Sequence, residues 1–205
     1  MMSKTSFHIL KVSRLEGLYD GIFAIAMTIL VLDLKVPTDT FATNLHSTFI
    51  TDILIKLFVY IGSFAILGTL WIAMNFQIGL LERINRIYLW TNVVYLMVIC
   101  IVPFSASLLA AFPQEPISII FYAINLMCAS LMQILICESS CFYNLNKDIY
   151  SPAIRSAVLR RALLAPVFYL LAIFLAFFST TLAFVILVAP ILIYIVPGHI
   201  DKFDK

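Results

Sequence analysis

RLEGLYDGIFAIAMTILVLDLKVP, residues 14–37, is the stretch whose reading decides the fold. It is an apolar run that starts at Arg14 and is closed by Pro37, and its length matches the ~20 residues a helix needs to cross a bilayer. Lys4, Lys11 and Arg14 lead into it as the basic start of a signal peptide would. The run nevertheless continues past Leu32 to Val36 without a small-residue cleavage site, so it reads as a retained membrane span.

The rest of the chain repeats this pattern. Of 205 residues, 63% are hydrophobic and 12% are charged. So few polar side chains cannot cover so many apolar ones, which excludes a water-soluble fold and leaves much of the exterior to lipid. Further apolar runs predict spans over 53–81, 87–111 and 117–143, with Pro113 and Pro116 marking a tight turn before the last of these. A final apolar block, 163–196, is too long for one span. Ser179, Thr180 and Thr181 near its middle predict two short helices, 163–178 and 182–196, of ~16 residues each. The expectation is an all-α polytopic membrane protein with six transmembrane helices, residues 1–205 forming a single unit, and five spans as the alternative count.

Lysine and arginine near span ends concentrate on the cytoplasmic side. With six spans, Lys4, Lys11, Arg14, Arg83, Arg86, Lys147, Arg155, Arg160, Arg161, Lys202 and Lys205 fall on one side, and only Lys35 and Lys56 on the other. This bias places both termini in the cytoplasm and the connection 38–52 outside. The formal charge of +2 gives no reason to expect nucleic acid as a partner. Cys100, Cys128, Cys137 and Cys141 lie in apolar stretches without zinc-ligand spacing, and read as small reduced hydrophobes. His8, His46 and His199 lie outside the spans, no Ser/His/Asp grouping is evident, and neither an enzyme, a metal site nor a cofactor is expected.

Two features single out the first span. Asp20 lies roughly 9 Å deeper than Arg14 along a helix, where an unpaired carboxylate is costly. It needs a partner, and Arg14, Trp71 and Asn75 are the candidates. A stripe of branched residues, Ile22, Ile25, Ile29 and Leu32, recurs at spacings of three, four and three with no charge on it. Thr28 lies beside it, with a hydroxyl for a water-filled passage or for its own helix. On residues alone such a stripe more often serves packing or lipid contact, although Gly21, Ala24 and Ala26 on other faces permit close helix approach and could leave it for a different surface. A proton-coupled secondary transporter using Asp20 is the competing reading of the acid.

Arg14, Asp20 and the following Gly-Ile-Phe-Ala-Ile-Ala-Met-Thr-Ile-Leu-Val-Leu resemble the first-helix signature of the bacterial homologues of transmembrane protein 175, a potassium channel family. The family pattern is Arg, three residues, then Phe-Ser-Asp. Here Leu18 and Tyr19 replace the Phe and Ser, and the second span carries Asn75 after Trp71 where relatives often place His. The resemblance is specific over about 25 residues. It implies a homotetramer in the bacterial plasma membrane with the first helix of each subunit lining the pore. It implies a hydrophobic constriction at Ile25, Ile29 and Leu32, with Thr28 and Ile22 adjacent, that passes potassium in preference to sodium. Arg14 and Asp20, with Trp71 and Asn75, correspond to a network that holds helices together.

Overall fold

The computed structural model describes residues 11–34 and 47–195. The end of the first expected span at residues 35–37, the connection as far as residue 46, the last residue of the sixth expected span, Lys4, Lys35, Lys202, Lys205 and all three histidines lie outside them. Six helices run in chain order: α1 Val12–Ile29, α2 Ser47–Gly79, α3 Arg86–Ala111, α4 Pro116–Phe142, α5 Pro152–Ala176 and α6 Thr180–Ile195. α1 tightens at its end into a 3-10 turn, Leu30–Asp33. The first five helices are long and apolar enough to cross a membrane, and α6 is shorter. The 33 residues of α2 span about 50 Å, well beyond a hydrocarbon core of about 30 Å, so α2 must tilt or protrude. The 16 residues of α6 span only about 24 Å.

The last apolar block is divided less evenly than its composition predicts. α5 begins at Pro152, eleven residues before the expected 163. Ser151 caps it by accepting a bond from the Ile154 amide, and Pro152 sits at the first helical position, where its missing N–H costs nothing. The charged first turns of α5 hide it from hydropathy but not from helix formation, and Arg155 there pairs with Glu138 of α4.

The helices form a closed sequence of neighbours. α3 packs on α4, α4 on α5, α5 on α6, and α6 returns to α2 and α4, while α1 lies in the groove between α2 and α3. Small residues let these backbones approach closely: Ala106, Ala123, Ala129, Ala165, Ala172, Ala176 and Ala183 are all buried. Pro103 lies inside α3, and α4 places a polar side chain beside it. In the amide orientation that satisfies both of its ends, Asn125 donates to the Val98 carbonyl and accepts from the Val102 amide and the Ser105 hydroxyl. A second buried pair, Ser63 and Tyr122 at 2.8 Å, ties α2 to α4.

At one end of the bundle the α2–α3 and α4–α5 turns are fastened together. Leu81 and Asn146 form an antiparallel bridge, the Glu82 amide donates to the Leu145 carbonyl at 2.9 Å, and the Lys147 amide donates to the Leu80 carbonyl at 2.9 Å. The Lys147 ammonium also caps α2, reaching the Gly79 carbonyl at 2.7 Å. Asn144 supplies the left-handed residue, φ 51°, that this tight turn requires.

If close approach through small residues holds the bundle, enlarging one of them is costly. Ala172→Leu is expected to destabilise the protein by about 1–3 kcal/mol. Leu171→Ala, on the exposed side of the same helix, should stay within about 0.5 kcal/mol. Retention of the folded elution peak after stepwise heating distinguishes the two.

Candidate functional site

α1 shows two unlike sides. Leu15, Tyr19, Phe23, Ala26 and Leu30 are buried against α2 and α3. At about 100° per residue, the direction opposite Tyr19 is occupied by Gly17, Gly21, Ala24 and Thr28. All four are exposed, and a Cβ at Gly17 or Gly21 would meet nothing within 4 Å. Ile25, Ile29 and Leu32 stand along one flank of this small-residue strip, with 59%, 42% and 66% of their surface uncovered by their own chain.

The expected stripe is therefore split. Ile22 is half-buried and packs against the core, because it projects only about 60° away from Tyr19. Ile25, Ile29 and Leu32 remain on the uncovered side. Thr28 is exposed there, yet its hydroxyl bonds back to the Ala24 and Ile25 carbonyls, both at 2.9 Å.

What fixes this rotation is a pair of adjacent polar side chains. The Asp20 carboxylate accepts a bond from the Trp71 indole N–H of α2 at 3.0 Å. Such a charge-assisted bond is stronger than a neutral one. Tyr19, one residue earlier, points into the α3 contact, where its hydroxyl donates to the Asn92 side-chain oxygen at 2.7 Å. The Asn92 amide in turn donates to the Tyr88 carbonyl at 2.7 Å, so the carboxamide is held at both ends. The Tyr19 ring forms a three-ring cluster with Phe23 and Tyr95, whose centroids lie 6.1 and 5.8 Å from it and 6.4 Å from each other.

Of the three candidate partners of Asp20, the structure brings in Trp71. Arg14 is exposed and forms no ion pair with Asp20 among the described residues. Asn75, one turn beyond Trp71, is half-buried and makes no bond to Asp20. The Tyr19–Asn92 link is absent from the sequence reading. Its signal was an asparagine in an otherwise apolar run, four residues after Tyr88 and so on the same helix face. Among the described residues no three His, Cys, Asp or Glu side chains gather to hold a metal ion.

The chain is similar to known proteins in sequence and in fold. The family model described as endosomal/lysosomal potassium channel TMEM175 matches residues 14–103, which hold nearly all of α1, α2 and most of α3. A potassium channel of Streptomyces collinus is 31% identical over 102 residues, 50% of this chain and 49% of the relative, so the match spans about half of that protein. A potassium channel of a Chryseobacterium species is 29% identical over 203 residues, covering 94% of this chain and 97% of the relative. In fold, the chain is similar to the crystal structure of a lysosomal potassium-selective channel TMEM175 homolog from Chamaesiphon minutus. The TM-score is 0.76 at 23% identity, over 90% of this chain and 96% of that one.

The two anchors of α1 make separable predictions. Asn92→Leu leaves the buried Tyr19 hydroxyl without an acceptor and is expected to cost about 1–3 kcal/mol. In a double-mutant cycle with Tyr19→Phe, the coupling should be about 0.6 kcal/mol, the average for hydrogen bonds inside a membrane protein, and no more than about 1.7 kcal/mol. Zero coupling in thermal unfolding removes this link. Asp20→Ala, which orphans the Trp71 N–H, should reduce the yield of assembled protein, and Asp20→Asn, which keeps an acceptor, should restore much of it.

Proposed function

We propose that this chain, a homologue of transmembrane protein 175, forms a potassium-permeable channel in which α1 of each subunit lines the ion path. The relatives are named as channels and not as enzymes. The observation that carries the reading is the uncovered face of α1: three large branched side chains left open beside a strip of small residues, on a helix anchored firmly through its other side. The small strip lets the α1 helices of neighbouring copies approach closely. The proposed assembly is a homotetramer in which Ile25, Ile29 and Leu32 form successive apolar rings around the axis.

Such rings offer no oxygen to replace an ion's hydration shell. They discriminate only through the cost of stripping water, which favours potassium over sodium modestly, and they close by dewetting. Thr28 contributes little to the ion, because its hydroxyl is engaged with its own helix. The distribution of basic residues supports a multi-pass orientation with both termini cytoplasmic, in a bacterial plasma membrane.

Purified protein in liposomes should carry current under a potassium gradient, with a smaller sodium permeability. Strictly coupled, electrically silent uptake contradicts the channel reading and favours a transporter acting through Asp20. Ile25→Asn is expected to wet the constriction and move the potassium-to-sodium permeability ratio toward one. An unchanged ratio in Ile25→Asn, Ile29→Asn and Leu32→Asn removes the hydrophobic-filter assignment.

A further inference from the structure

Far from α1, the last turns of α4 present two thiols to one phenol. The Cys137 and Cys141 sulfurs each lie 3.4 Å from the Tyr150 hydroxyl oxygen, to which Cys141 donates. Cys137 is buried and Cys141 half-exposed, so the pair is reached from the Cys141 side. Tyr150 belongs to the α4–α5 turn, which Lys147 ties to the end of α2. The spacing of the two thiols decides what chemistry they suit. Side chains four residues apart on a helix have Cβ atoms about 5–6 Å apart. A disulfide needs about 3.8 Å, so direct oxidation of the pair would distort α4. Zinc calls for about four nitrogen or sulfur ligands, and no third His, Cys, Asp or Glu joins the pair among the described residues. A single thiophilic atom that is satisfied by two sulfurs and lengthens the bridge between them fits both constraints.

We propose that Cys137 and Cys141 form a chelating site for trivalent arsenicals. The exchange is not a redox step. Each thiol gives up its proton, each proton leaves with an arsenic-bound hydroxide as water, and two As–S bonds replace two As–O bonds while arsenic stays trivalent. Binding removes both S–H groups and so ends the donation from Cys141 to Tyr150. The phenol then keeps only its contact with the Cys137 sulfur, and the turn that caps α2 is held less firmly on that side. The site is independent of the ion path on α1.

Phenylarsine oxide added to the full purified chain is the test, read by intact mass and by titration. One phenylarsenic per chain is expected, stable to a monothiol wash and released by a vicinal dithiol. Proteolysis of the unmutated adduct should place it on the peptide containing residues 137–141. Cys137→Ser and Cys141→Ser, in preparations that elute as the parent does, should each weaken binding roughly 100-fold through loss of chelation. The Cys100→Ser/Cys128→Ser double variant should bind as the parent does. Tyr150→Phe should keep the adduct at equal or higher affinity, since no thiol–phenol bond then has to break. Retention unaffected by Cys137→Ser and Cys141→Ser, an adduct mapped to another peptide, or modification of unfolded protein alone overturns the proposal.

Discussion

Tyr19 and Asp20 are neighbours in sequence, but their side chains leave α1 about 100° apart and are met by different helices. One donates to Asn92 of α3, and the other accepts from Trp71 of α2. Two hydrogen bonds diverging from adjacent residues fix the rotation of a helix about its axis, which apolar packing alone would leave free to slip. Once that rotation is set, the rest of the α1 surface follows. Phe23, Ala26 and Leu30 go inward, and Gly17, Gly21 and Thr28 go outward with Ile25 and Leu32 on their flank. In a bilayer the constraint is stricter than in water, because lipid offers nothing to the indole N–H or the phenol if either partner is lost.

α2 transmits this constraint through the molecule. It meets α1, α3 and α6, so it links the helix that carries the candidate ion path to the rest of the bundle. Its second half holds Asp20 through Trp71, and its last carbonyl, that of Gly79, is capped by Lys147 from the α4–α5 turn. The neighbouring helices combine buried large side chains such as Tyr95, Ile99 and Tyr122 with small residues and a few buried polar pairs, which matter where lipid tails are as apolar as the core. Next to Pro103, Asn125 of α4 is one such polar link, bonding the Val98 carbonyl and the Val102 amide of α3.

Much of this architecture is legible in the sequence because hydropathy reports length directly: apolar runs bounded by Pro37, Pro113 and Pro116 mark helices without any tertiary information. The start of α5 is legible only in part: residues 144–162 read as a polar connection with a basic helix start, but hydropathy places the span itself from 163, whereas Ser151 and Pro152 begin the helix eleven residues earlier. Asp20 announced its need for a partner but not which one, because Arg14, Trp71 and Asn75 are all reachable until the helices are placed. Ile22 matched the periodicity of the stripe and still turned inward. A spacing of three, four and three tolerates a face wide enough to include one residue that belongs to the core. The Tyr19–Asn92 bond needed the third dimension, since 73 residues separate the two side chains.

The central claim is that the face of α1 turned away from Tyr19 borders the path of the ion. Its most direct measurement is the block of potassium flux by a small water-soluble thiol reagent, with single cysteines placed along α1 in a background freed of the four native ones. Ile25→Cys and Ile29→Cys should be blocked and should react more slowly when potassium is abundant, while Ile22→Cys should be unaffected. Block at Ile22→Cys with free conduction through modified Ile25→Cys and Ile29→Cys would contradict the account.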